Sequence, residues 1–203
     1  MAGGLSLGKQ GGVSVMSLFE NILSSAYFRD AAVFLACLLL HESGHLLALL
    51  AYGEKIRSIT CSATGLKIQT DSKWIPYRKE ILIYLAGPFF GLMGATVTLF
   101  FLRRSFTIPL MHFFFGNLLF SFLNLLPIRG LDGYGALLSF LCLKTHPEHA
   151  KDILKPIHFL FLSLLLLLGI ELVVKWKNPS LIFLSLLLPE ETREKRKKAT
   201  TES

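Results

Sequence analysis

The 203-residue sequence contains little charge and few cysteines. Only 17% of its residues are Asp, Glu, Lys or Arg, whereas ordinary soluble domains carry about 25%. Disordered proteins combine low hydrophobicity with high net charge, so the 52% hydrophobic content excludes that class. Three widely spaced cysteines, Cys37, Cys61 and Cys142, exclude a disulfide scaffold. The composition therefore indicates a protein that spans a membrane.

The sequence contains several long apolar runs. Four of them are close in length to the ~20 residues that cross a bilayer core: 31–52, 81–102, 106–128 and 157–174. A fifth stretch, 179–189, is shorter and would cross only as a thinned or tilted span. We therefore predict an all-α polytopic membrane protein with four to five transmembrane helices.

The segments around these runs complete the predicted organisation. Residues 55–70 are rich in Ile, Thr and Ser, which predicts a short β-hairpin between the first two spans. Residues 1–30 are predicted to form a tail and an interfacial helix at 17–28, because apolar side chains recur there with helical spacing. The membrane domain follows at 31–189, and a basic cytoplasmic tail at 190–203.

Basic residues are unevenly distributed, and the net charge is +7. With five crossings, 15 of the 21 Lys and Arg residues lie in 53–80, 129–156 and the tail after 190. Cytoplasmic loops carry such an excess of positive charge, so the distribution favours five crossings with a cytoplasmic tail. With four crossings the asymmetry disappears. A basic tail beside apolar segments is typical of contact with anionic lipid, and we predict a lipid bilayer as partner and no nucleic acid.

One polar interruption divides the first apolar run, HESGH at 41–45. On a helix, His41 and His45 lie on one face and can both reach a zinc ion. Glu42 lies beside them, where it can accept a proton from water without being a ligand. Ionisable groups inside a span cost about 2.5 kcal/mol or more each on insertion scales, so we expect them to face a metal, a partner or a polar cavity. A hydrogen-bonded packing cluster is the alternative.

Catalytic zinc sites use three protein ligands and keep a fourth position open. Asp132 is one of only four aspartates in the sequence, and it follows the third apolar run in NLLPIRGLDGYG. Pro127 and Gly130 interrupt that run and let the carboxylate turn back towards the membrane interior. Asp132 is therefore the candidate third ligand, with an ordinary turn aspartate as the alternative.

Together these motifs resemble those of the site-2 proteases, which are intramembrane zinc metalloproteases. The family combines HExxH in one span with N-x-x-P-x-x-x-L-D-G near the end of a later one. The second element matches here at Asn124, Pro127 and Leu131-Asp132-Gly133, and AGP at 86–88 is a third shared element. Within the family, the similarity is greatest to the bacterial stage IV sporulation peptidase that processes a pro-sigma factor.

The resemblance implies a role for each matching residue. It implies one Zn²⁺ per chain, with His41, His45 and Asp132 as ligands. Glu42 would be the general base. Asn124 would act close to the reacting groups, where its amide holds the substrate or helps to stabilise the oxyanion.

The resemblance also implies a location and partners. The intramembrane metalloprotease domain would occupy 31–189 of a multi-pass protein of the bacterial cytoplasmic membrane, with the active site open to the cytoplasm. It would cleave a membrane-associated or transmembrane protein, such as a pro-sigma factor or another regulatory factor in regulated intramembrane proteolysis. A regulatory membrane protein is a further expected partner.

Two other function classes use the same residues. A catalytically inactive protein of this fold would bind partner transmembrane helices, but it would have no need of Glu42. An intramembrane metal-binding or transport protein would need ligands along a path, whereas few ionisable groups interrupt the later spans. For Asn124 the alternative is an interhelical hydrogen bond, which is common in transmembrane helices.

Overall fold

A computed structural model describes residues 26–62, 65–70 and 75–187 of the chain. The basic tail at 190–203 and most of the predicted interfacial helix at 17–28 lie outside these residues. The elements in chain order are α1 (Ala26–Ala51), β1 (Ile56–Ser62), β2 (Gly65–Thr70), α2 (Tyr77–Leu102), α3 (Ile108–Asn124), α4 (Asp132–Cys142), α5 (Pro147–Trp176) and α6 (Ser180–Leu187).

The described chain is predominantly helical, and three of its helices are long and apolar enough to cross a membrane. These are α1 from Phe28 onward, α2 and α5. Helix α3 is apolar too, but it has 17 residues and ends at Asn124, short of the predicted 106–128. The chain leaves the helix there because Pro127 disfavours helical backbone at the residue before it.

In the described part of the fifth apolar stretch, which ends at residue 187, α6 has 8 residues. An α-helix of that length rises about 12 Å, much less than a bilayer core of about 30 Å. The number of crossings, four or five, stays a prediction.

Helix α4 was not predicted, because the sequence indicates 129–156 only as a segment between two apolar runs. Two glycines near its start give this stretch a weak intrinsic helix preference. Contacts with α2 stabilise this helix in place of intrinsic helix preference. The Ser139 hydroxyl donates a hydrogen bond of 2.7 Å to Glu80, and Gly135 lies against the ring of Tyr84.

Helices α1, α2 and α3 pack on one another and form the centre of the molecule. Small residues allow this close approach: a Cβ atom on Gly44 of α1 would lie only 2.5 Å from the carbonyl oxygen of Ala86 in α2. The buried face of α2 consists of Gly87, Pro88, Gly91, Ala95 and Thr98.

Polar side chains point into this centre, and large apolar side chains point out. The fully or nearly buried residues include His41, Glu42, Asn117, Ser121 and Asn124. By contrast, Phe89 and Leu167 are each 63% exposed. Such an inversion is expected where the surroundings are lipid and the interior has a polar function.

Strands β1 and β2 lie between α1 and α2 and pair antiparallel. Their register places Ile59 opposite Ile68 and Cys61 opposite Leu66, with an irregularity between Ile56 and Ser58. Residues 63–64, between the two strands, lie outside the described residues.

Candidate active site

Helix α1 carries two of the candidate ligands at its centre. Because His41 and His45 are four residues apart on a regular helix, their rings share one face. The ring centroids are 4.9 Å apart. His41 is 2% exposed and Glu42 is 8% exposed, whereas His45 is partly buried.

Asp132 reaches the same point from a different part of the chain. It is the first residue of α4 and follows the turn that ends α3. Its Oδ2 lies 2.9 Å from His41 Nε2 and 3.2 Å from His45 Nε2. The two Nε2 atoms are themselves 3.2 Å apart, so three donor atoms form a nearly equilateral triangle.

This triangle has the size that a zinc ion requires. Ligand atoms about 2.0–2.2 Å from a tetrahedral zinc are roughly 3.3–3.6 Å from each other, slightly more than the observed separations. Two imidazoles and one carboxylate also form a known catalytic donor set, which leaves a fourth position open. Among the described residues, His41, His45 and Asp132 form the one group of metal-ligating side chains that converges in this way.

A backbone carbonyl fixes the tautomer of His45. Its Nδ1 lies 2.7 Å from the carbonyl oxygen of Ile83 in α2. Because a carbonyl can only accept, Nδ1 carries the proton and Nε2 presents its lone pair to the site. The partner is a backbone carbonyl 38 residues along the chain, so no residue pattern predicts this contact.

His41 is held differently, by packing. The ring of Phe120 stands edge-on to it at 4.9 Å. The buried Nδ1 atom of His41 has no hydrogen-bond partner in the described part of the chain. Phe120 belongs to α3 and was not predicted to contribute.

Gly87, the middle residue of the AGP element, forms one wall of the site. A Cβ atom at this position would overlap the Nε2 atoms of both His45 and His41. A residue without a side chain therefore leaves the lone pairs of both imidazoles clear of α2. This gives the shared AGP element a physical role beside the metal ligands.

Asn124 lies at the end of α3 and is 8% exposed. Its amide nitrogen donates a hydrogen bond of 3.0 Å to the carbonyl oxygen of Phe120, within its own helix. The predicted role of Asn124 near the reacting groups stays a prediction.

The turn between α3 and α4 has the shape that its sequence predicts. Gly130 has φ = +95°, a conformation that favours glycine. A Cβ atom on Gly133 would overlap the backbone of Leu125, so only glycine fits beside Asp132 there. Ile128 is fully buried and packs against Leu165 of α5.

Two known proteins are similar to this chain. A protein of Mycolicibacterium smegmatis named "Putative zinc metalloprotease Rip2" is 32% identical over 120 residues, which cover 55% of this chain and 44% of that protein. The match thus spans less than half the length of this curated relative. A solved structure, the site-2 protease from Methanocaldococcus jannaschii, superposes with a TM-score of 0.63 at 25% identity.

The structural match extends over 86% of this chain and 81% of the archaeal protease chain. No protein-family model matches the chain. The two likenesses agree with each other and with the resemblance found in the motifs. The chain therefore has the fold of the archaeal site-2 protease.

Proposed function

We propose that this chain is an intramembrane zinc metalloendopeptidase that cleaves a membrane-associated or transmembrane protein. The observation that carries the proposal is the triangle of His41 Nε2, His45 Nε2 and Asp132 Oδ2, with edges of 2.9, 3.2 and 3.2 Å. It lies among described helices that expose many large apolar side chains. A soluble metalloprotease would not need such a surface.

His41, His45 and Asp132 would hold one zinc ion. When bound, zinc supplies a Lewis acid that polarises a peptide carbonyl and increases the acidity of water. Glu42 accepts the proton of the attacking water and delivers it to the leaving amine. Its position next to His41 and its burial support this role.

Asn124 would hold the substrate or help to stabilise the oxyanion. Its amide oxygen and second amide hydrogen are free for that purpose if the amide keeps its bond to Phe120. A helical substrate must unwind locally, because its peptide carbonyls are otherwise occupied within the helix.

Several finer features belong to the same proposal. They are one zinc ion per chain, a bacterial cytoplasmic membrane, an active site open to the cytoplasm, a pro-sigma or other regulatory factor as substrate, and a regulatory membrane protein as partner. The motif resemblance and the fold support them. The uneven distribution of Lys and Arg supports the cytoplasmic orientation.

The alternatives fit the site less well. A metal transporter would need further ligands along a path, but the described residues contain one converging group of three. A protein that only binds partner helices would not need a buried carboxylate beside two converging imidazoles, since burial of that charge is costly.

The test compares cells that express the wild-type chain with cells that express Glu42→Gln. Glu171→Gln is the matched control, because Glu171 lies at the far end of α5 and pairs with Lys175 on the surface. New peptide termini are profiled by mass spectrometry in membrane and cytosolic fractions. Zinc per purified chain is measured in parallel.

We expect termini within or near transmembrane segments in cells with the wild-type chain and with Glu171→Gln. They should be missing with Glu42→Gln, although that variant keeps its zinc, because Glu42 is not a ligand. Identical profiles for Glu42→Gln and wild type would contradict the proposed protease activity.

A further inference from the structure

One backbone amide in the turn before Asp132 is bound by a side chain from a distant helix. The amide of Arg129 donates a hydrogen bond of 3.2 Å to Nδ1 of His158 in α5. The two residues are 29 positions apart. His158 is 4% exposed and lies where the polar first part of α5 passes into its apolar part.

The other hydrogen bonds of the turn show why this contact is needed. The backbone amide of Ile128 donates a hydrogen bond of 2.8 Å to the carbonyl oxygen of Leu126. The amide of Leu131 donates one of 3.0 Å to the carbonyl oxygen of Ile128. Both bonds stay within the turn, whereas the backbone N–H of Arg129 points away from the turn towards His158 in α5. An amide that is shielded from water and has no partner costs free energy comparable to a lost hydrogen bond. Arg129 is half-buried and His158 is buried, so His158 supplies the acceptor that the turn itself does not.

The contact also determines the state of the His158 ring. An amide can only donate, so Nδ1 must present a lone pair, and the ring is neutral with its proton on Nε2. The Arg129 side chain contacts a neighbour of the His158 ring: its guanidinium donates a hydrogen bond of 3.2 Å to the hydroxyl of Tyr134. The Tyr134 ring stands edge-on to His158 at 6.3 Å.

Apolar packing alone would not fix the turn in this way. Ile128 holds the turn against α5 through Leu165, but contacts between apolar side chains have no direction and permit small rotations. The bond from Arg129 to His158 has a direction, and it lies three residues before Asp132. It therefore sets the rotation with which the chain enters α4 and places the Asp132 carboxylate.

We infer that His158 is a positioning residue for the third metal ligand: its Nδ1 lone pair holds the Arg129 amide and thereby keeps Asp132 Oδ2 within reach of both imidazoles. The inference rests on the zinc site of the proposed function, but not on proteolysis. It gives α5, which supplies no ligand, a part in metal binding.

Three substitutions of His158 separate this role from simple packing. In His158→Asn the amide oxygen can occupy the position of Nδ1, since both atoms are bonded to Cγ. In His158→Gln the oxygen lies one bond further out, and in His158→Leu there is no acceptor. Leu154→Ala is the packing control, because Leu154 is fully buried one turn away on α5.

The readout is the zinc affinity of each full-length variant, purified in detergent and measured by competition with a chelator. Outer-shell partners of metal ligands typically change metal affinity by about 10- to 100-fold, and we expect a loss in that range for His158→Leu and His158→Gln. His158→Asn should stay close to wild type. Leu154→Ala should unfold at a lower temperature while its folded fraction keeps wild-type affinity.

Two results would overturn the inference. One is wild-type zinc affinity in His158→Leu. The other is an equal loss in His158→Asn, His158→Gln and His158→Leu, which would reduce the role of the ring to packing. If the chain binds zinc but cleaves no protein, the proposed function fails and the inference about His158 is unaffected.

Discussion

The two halves of the site are built in different ways. Helix α1 supplies His41 and His45 from one continuous segment, so helical geometry alone puts both imidazoles on one face. Asp132 stands at the junction of a turn and a short helix, and its position depends on contacts with α2 and α5. The first half is local and regular. The second half is tertiary, and it is where the site should be most sensitive to distant substitutions.

The largest effect should come from removing the ligand of the tertiary half. Asp132→Asn exchanges the anionic oxygen of the triangle for a neutral amide, and we expect zinc affinity to fall by more than about 100-fold, beyond the range of outer-shell changes. The measurement is zinc per purified chain and chelator competition. Asp152→Asn is the matched control, because Asp152 is exposed on α5. Retention of zinc by Asp132→Asn would mean that α1 forms the metal site without α4.

A second substitution acts on the regular half. In Gly87→Ala the new Cβ atom would overlap Nε2 of His45 and His41, so the imidazoles must turn away from Asp132. We expect zinc affinity to fall about tenfold or more, equivalent to roughly 1.4 kcal/mol. Gly94→Ala is the control on the same helix, since its Cβ atom would overlap the end of the Leu40 side chain, make ordinary contact with Asn117 and touch neither imidazole. Equal zinc affinities in both variants would contradict the close approach of α2 to the ligands.

The smallest effect should come from loosening the turn without touching a ligand. Ile128→Ala leaves a cavity beside Leu165, and such deletions cost about 2 kcal/mol or more of stability in well-packed interiors. We expect a lower unfolding temperature and a smaller loss of zinc affinity than in Asp132→Asn. Both are measured on the same purified samples. A variant with unchanged zinc affinity and lowered stability would show that α5 holds the turn without influencing Asp132.

The same contrast explains what the sequence could predict. HESGH and the LDG element identified His41, Glu42, His45 and Asp132 as one candidate site, because residue types and spacing carry that information. The structure brings the three proposed ligands together. The Nδ1 partner of His45 is a backbone carbonyl. Every residue has a carbonyl, so the sequence does not show which one is the partner.

The parts that were missed depend on contacts between distant segments. Helix α4 has two glycines in its first turn and forms against α2, so its local sequence does not predict it. Helix α3 ends at Asn124, although the apolar run continues to residue 128. Pro127 disfavours helical backbone at the residue before it, and hydropathy does not show this effect. His158 was visible as a histidine in an apolar segment, but its partner is an amide 29 residues away.

The central claim is that the three side chains bind one zinc ion inside the membrane domain. X-ray absorption at the zinc edge of the purified chain tests it most directly. The account predicts one zinc per chain, with two imidazole nitrogens and oxygen ligands about 2.0–2.2 Å from the metal. A chain purified without zinc, or a metal shell dominated by sulfur at about 2.3 Å, would contradict it.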